Sequence, residues 1–244
     1  MMGFAAVTGH APLRALLLRA VARDTLPPCL LFVGPEGVGK RRMALAVAQW
    51  LNCEATATET EDPADACGVC RACKRVQRGV HADVVLTEPG ESGTIKVGAI
   101  RAVVGQSTFR PFEGRRRVVI IDDADRMVAE AQYALLKTLE EPTAASVFLL
   151  VTARPHLLLP TVRSRCPTLR FGGLSVDEIV ELLVADHGVE RSTAVASAAV
   201  AGGSVGRARE VGSEEHLDDR EHATETLAAK KAALSDMSDS PAAN

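Results

Sequence analysis

Residues 29–52 read CLLFVGPEGVGKRRMALAVAQWLN, and the fold follows from this stretch. Cys29–Val33 is an unbroken apolar run, the pattern of a strand buried on both faces. It stops at a glycine loop, Gly34-Pro35-Glu36-Gly37-Val38-Gly39. Lys40 then opens a segment with Met43, Ala44, Val47 and Leu51 at helical spacing. Strand, glycine loop and helix in that order are the context in which G-x-x-x-x-G-K-[ST] holds phosphate. Loop N–H groups and the helix N-terminus surround the anion, and Lys40 adds a point charge. A glycine-rich turn without a ligand is the competing reading. Where the pattern asks for a hydroxyl, this chain has Arg41. Mg²⁺ needs an octahedral shell of oxygens, one of them from that hydroxyl, and a guanidinium has no acceptor to give. The expectation is a loop in which ATP or ADP can bind, Arg41 touching phosphate in part replacement of the ion, with Mg²⁺-assisted turnover impaired.

Outward from the loop, Pro12 precedes a helix carrying Leu13, Leu16, Leu17 and Val21. Strands are expected at Asp83–Leu86, Arg117–Asp122, Val147–Thr152 and Thr168–Phe171, with helices near 98–106 and over Ala129–Glu141. After Gly172-Gly173 the strands cease. Ser175 opens one helix and a second runs Ser192–Ala201 to Gly202-Gly203. Alternating strands and helices followed by helices alone predict an α/β domain over 1–172 and a small helical domain over 173–212. Residues 213–244 are expected to be a tail or the start of a further domain, with a charged helix over Glu215–Leu234.

Val118-VIIDD-Ala124 sets carboxylates at the end of a buried strand. Asp122 is placed to complete a Mg²⁺ shell. Asp123 stands where a glutamate commonly activates water, one CH₂ short, and a displacement of about 1 Å can cost on the order of a hundredfold in rate. Asp125 is read as a solvated acid. Ser164-Arg165-Cys166 follows Pro160-Thr-Val-Arg163, an arginine on a short loop after the third of these strands.

Cys67, Cys70 and Cys73 are three apart, with Cys53 fourteen residues upstream. Four thiolates suit tetrahedral Zn²⁺, and a closed shell leaves no position for a water, so the ion would be structural. Arg71, Lys74 and Arg75 stand ready to offset the net −2 of that centre. A threonine-rich stretch, 54–66, reads as a surface insertion. Cys29 and Cys166 read as structural thiols; His10 and His81 can be read as ligands, His81 otherwise as a loop cap and His10, on the resemblance given below, as a residue near the base-binding edge.

The bulk numbers exclude other classes. At 47% hydrophobic and 24% charged the chain can bury an aliphatic core, but 3% aromatics leave no stacking platform for single strands. No run reaches the length of a membrane span, and the start is too short and broken for a signal peptide, so no membrane and a cytoplasmic location are expected. Residues 213–244 hold eight acidic and three basic side chains, leaving net +2 on residues 1–212. That is too weak a charge to argue for tight nucleic-acid binding.

GPEGVGK, CGVCRAC, VVIIDDAD, ALLKTLEEP, LLPTVRSRC and GGSVGRA occur in one order over roughly residues 8–210. This resembles the bacterial DNA polymerase III clamp-loader subunits of the AAA+ ATPases, most closely those of the delta-prime type. The resemblance implies a five-stranded parallel sheet with helices on both faces, a zinc module (about 53–80) inserted after the phosphate-loop helix, and a helical lid. It implies Arg165 as an arginine finger reaching a neighbouring gamma/tau ATP site, in a ring with delta that loads the sliding clamp on primed DNA. Active members carry G-S-x-R-D-A in the lid; here Gly206 takes the arginine position and Arg207 follows it. Tyr133 stands where asparagine is usual. With Arg41 and Asp123, the lid change argues against turnover by this chain. A C-terminal collar normally follows in this family, and a chain without one is expected to assemble weakly. Two other readings stay open: a gamma-type subunit with its own ATPase activity, and a zinc-dependent DNA-binding module on a vestigial ATP fold.

Overall fold

The computed structural model describes residues 3–55 and 65–212, which divide into two compact units between Ser175 and Val176. In the first, the strands are β1 (Cys29–Val33), β2 (Val84–Thr87), β3 (Arg117–Ile121), β4 (Ser146–Thr152) and β5 (Thr168–Arg170). Its helices are α1 (Ala11–Ala22), α2 (Lys40–Asn52), α3 (Arg71–Gln77), α4 (Val97–Ser107), α5 (Ala129–Glu140) and α6 (Pro160–Arg163). In the second, α7 (Val176–His187) and α8 (Arg191–Val200) precede further helical residues at 205–212. The threonine-rich stretch and the charged helix expected over Glu215–Leu234 lie largely or wholly outside the described residues.

The strands pair in the order β2-β3-β4-β1-β5, all parallel. Every residue of β1, β3 and β4 is buried, because helices cover both faces. Alternate side chains serve opposite layers. Leu30, Phe32, Val118, Ile120, Val147 and Leu149 pack with Leu17, Met43, Val47 and Trp50 of α1 and α2. Leu31, Val119, Ile121, Phe148 and Leu150 pack on the other side with Ile100, Val103, Leu135 and Leu139 of α4 and α5. The shape of this sheet is therefore fixed by strand order. It puts the carboxyl ends of β1, β2, β3 and β4 along one rim, where ligands of open parallel sheets bind.

The opposite rim is pinned by one buried ion pair. Asp83, fully buried, accepts from Arg117 Nη2 at 2.7 Å and from the N–H groups of Phe112, Glu113 and Gly114 at 2.7–2.8 Å. Burial alone would raise its pKa, but Arg117 and those three donors bring it down to about 2. The carboxylate thus contributes stability above its ordinary pKa near 3.8, and that contribution is lost as pH falls through about 2. Asp83→Ala leaves Arg117 buried and unpaired, with an expected cost of about 3–5 kcal/mol in urea unfolding at neutral pH.

In the second unit, α7 buries Ile179, Val180, Leu182 and Leu183, and α8 buries Ala194, Ser197 and Ala198.

Candidate functional site

The glycine loop leaves β1 and folds back into α2 as the motif requires. Gly34 has no room for a side chain: a Cβ there would lie 2.4 Å from the Phe171 carbonyl oxygen. Gly39 ends the loop at φ 98°, a left-handed conformation that a side chain would strain, and caps α2. His10 Nε2 donates to the Val38 carbonyl at 2.8 Å, and its ring meets Phe171 edge-on at 5.0 Å. His10 thus lies against the loop.

Lys40 is buried and donates to the carbonyls of Gly34 (2.7 Å) and Pro35 (2.5 Å). Burial lowers its pKa, opposed by Asp122, Asp123, Glu36 and Asp125. An ammonium has three donors, so one remains for a ligand.

Arg41 points into the rim rather than away from it. Its Nη1 is hydrogen-bonded to Glu88 and lies 3.5 Å from Asp122 Oδ2. Glu88 follows β2 and Asp122 follows β3, so one guanidinium bridges the ends of two strands. Asp122 is raised in pKa by burial, with Arg41 opposing. Magnesium does not fit these residues. The loop offers no hydroxyl, and a divalent ion drawn to Asp122 would stand about 4 Å from a fixed positive charge. At an effective dielectric of about 20 that repulsion is roughly 8 kcal/mol.

Asp123 adopts a left-handed conformation (φ 47°) and pairs with Arg126 at 3.6 Å. Asp125 departs from the sequence expectation of a solvated acid. It is buried and accepts from Thr152 Oγ1 at 2.5 Å and from Arg154 Nε at 2.9 Å. The short 3₁₀ turn Ala124–Arg126 rolls it inward, toward the end of β4. Glu88, Thr152 and Arg154 were not singled out from sequence; the signal available was their place just at or after the carboxyl ends of β2 and β4.

Arg165 belongs to the other rim. It precedes β5, whereas the glycine loop follows β1, and the two strands are parallel. Its Nη1 donates to Thr161 O at 2.8 Å, its Nη2 pairs with Glu140, and its carbonyl accepts from Cys29 Sγ at 2.9 Å. Cys29 and Cys166 are both buried, in keeping with structural thiols. Arg165 is not brought together with Lys40 or Asp122, and a five-residue strand sets about 16 Å between the rims.

The four cysteines do converge. Cys53 follows α2, Cys70 caps α3 and Cys73 lies within it. Their sulfurs all lie within 4.8 Å of one another, with Cys53–Cys67 at 3.6 Å and Cys67–Cys73 at 4.0 Å. A tetrahedron of Zn–S bonds of 2.3 Å has edges of about 3.8 Å, so the donor set fits a metal ion of that kind. N–H groups of Cys70 and Val69 bring Cys67 to about 7, while burial pushes Cys73 up. Arg75 pairs with Glu113 at 3.0 Å and donates to Val80 O at 2.8 Å. Arg115 donates to the carbonyls of Trp50, Leu51 and Cys53, closing the end of α2 beside the cluster. His81 caps its loop as expected, accepting from Asp83 N–H at 3.1 Å.

Among the described residues no helix is long and apolar enough to cross a membrane. The delta' subunit of DNA polymerase III from Bacillus subtilis is 36% identical over 169 residues, 69% of this chain and 49% of that protein. That of Pseudomonas aeruginosa is 41% identical over 137 residues, 56% and 40%. The tau subunit of Escherichia coli is 34% identical over 176 residues, 72% and 26%. The chain thus spans about half or less of the length of these relatives. The Thermotoga maritima RuvB Holliday junction branch migration motor superposes with a TM-score of 0.57 at 20% identity, covering 87% of this chain and 63% of that one, which speaks for the fold. The family described as DNA polymerase III, delta subunit, matches residues 9–175, and the chain belongs to that family of clamp-loader AAA+ proteins.

Proposed function

We propose that this chain is a delta-prime-type clamp-loader subunit that does not hydrolyse ATP itself and supplies Arg165 in trans to a gamma/tau site. The observation carrying the reading is the contrast between the rims. At the phosphate loop, Arg41 is ion-paired where a metal would be held. At the opposite rim Arg165 is held by its backbone and by Glu140, with its side chain still partly exposed. A trans arginine cancels charge on the phosphoryl group in flight, so turnover would depend on assembly with gamma/tau and delta. The ring would load the sliding clamp on primed DNA in the cytoplasm. Residues 173–212 serve as the lid, 213–244 as an acidic tail or the start of a collar. The four cysteines hold a structural zinc; with no open coordination position, it supplies rigidity rather than chemistry.

The test is ATP turnover by the loader reconstituted with gamma/tau, delta, clamp and primed DNA. Loss with Arg165→Ala and near silence of Lys40→Ala support the reading. The reverse pattern would make this chain a gamma-type ATPase.

A further inference from the structure

We infer that the phosphate loop of this chain takes a nucleoside polyphosphate without a divalent cation, Arg41 standing in the metal's stead. The inference deepens the reading of the loop as a phosphate site and does not depend on the role of Arg165.

Two observations lead there. The first is how Arg41 is used. Both its acidic partners, Glu88 and Asp122, are met through Nη1. Among the described residues no acceptor meets Nη2 or Nε. A guanidinium is a flat fork of five donors, and fork edges are what phosphate oxygens accept from. One edge is thus spent on the two carboxylates, and the other is open. Asp122, largely buried, anchors the cation at the rim, so the free edge is presented rather than left to wander in solvent.

The second is the charge count at the rim. In a metal-using loop, the carboxylate at the end of β3 is neutralised by an exchangeable ion that arrives with the nucleotide. Here the neutralising charge is covalently attached and permanent. Asp122 meets it directly, at 3.5 Å. The incoming anion then finds Lys40 with one donor to spare, the loop N–H groups, and the open edge of Arg41. These contacts are all direct, with no metal ligand among them. Glu88, half exposed, is the competitor: its carboxylate claims Arg41 most closely.

The experiment is titration of the intact chain with fluorescent ADP and ATP analogues, in excess EDTA and again in millimolar Mg²⁺. The wild type is expected to bind alike in both. Arg41→Thr restores the hydroxyl and removes the fork; its binding in EDTA is expected to fall on the order of tenfold or more, and to recover with Mg²⁺. Glu88→Gln leaves the loop untouched and frees Arg41, and is expected to tighten binding in EDTA. It keeps the test decisive should Arg41→Thr fail to give a native melting curve. The inference is overturned if the wild type binds only with Mg²⁺. It is also overturned if the wild type binds in neither buffer, or if Arg41→Thr binds in EDTA as tightly as the wild type. None of these results would touch the Arg165 assay, so the two failures are told apart.

Discussion

On the proposed trans role, Arg165→Ala in this chain is expected to lower ATP turnover of the reconstituted loader by about 10³–10⁵-fold at the partner site, the range for arginine fingers. The ring-averaged loss depends on how many other sites stay active, so single-site readouts are the sharper ones. The size follows from where the charge acts. A guanidinium placed against the moving phosphoryl group in a water-poor interface opposes charge that exists only in the transition state. The fold should not notice the change. Arg165 keeps its side chain partly exposed, and its pairing with Glu140 is a surface contact worth about 0–1 kcal/mol. The backbone contact from Cys29 is unaffected by the substitution. Melting temperature is therefore expected to hold while turnover collapses. A fall in both together would point to damage rather than to a lost finger. Lys40→Ala is the internal control: it removes a buried cation from the other rim and is expected to leave the loader's turnover nearly unchanged.

The second large effect belongs to the cysteines. Structural zinc in small peptides carries an apparent binding energy of about 10–16 kcal/mol, and here the cluster joins the end of α2 to α3. If the proposed ion is removed, no metal ties the buried Cys53 and Cys73 together, next to a helix end that Arg115 closes. Losing even several kcal/mol of that coupling would lower the melting temperature by about 10–15 °C. Cys73→Ser, or prolonged chelation, is expected to do this and to reduce bound zinc from about one ion per chain to none. A chelator-insensitive melt, or purification without zinc, would remove the ion from the account. Parallel titrations with DNA at two salt concentrations separate scaffold from reader. A structural ion predicts weak DNA affinity unchanged by Cys73→Ser.

Much of this was legible because it is local. The runs CLLFV and RVVII announce buried strands by composition alone, and the strand–loop–helix order places the phosphate loop without any long-range information. The cysteines are legible for the same reason, since three of them share one turn and its approach. What was not legible is pairing across distance. Nothing in the sequence says that Arg41 turns toward Glu88, 47 positions away, instead of toward solvent. Asp125 reads like its two acidic neighbours, yet a 3₁₀ turn buries it on Thr152 and Arg154. Arg75 sits beside the cysteines in sequence and chooses Glu113, 38 positions on. For Arg41 and Asp125 the local pattern fixes the backbone, and the register of the parallel sheet decides which side chains share a rim; Arg75 meets its partner where α3 packs beside the loop before β3.

The length of β1 has a further consequence. It is a rod of about 16 Å with apolar walls, the phosphate loop at one end and the thiol that grips Arg165 at the other. That span is about twice the distance over which ordinary cellular salt damps a charge at the surface. Both guanidiniums are partly exposed, so ions in solution screen most of what one end feels of the other. Mutational drift could trade a hydroxyl for a guanidinium at position 41 and leave the field around Arg165 as it was. A subunit built on such a rod can fall silent at one end without losing its voice at the other.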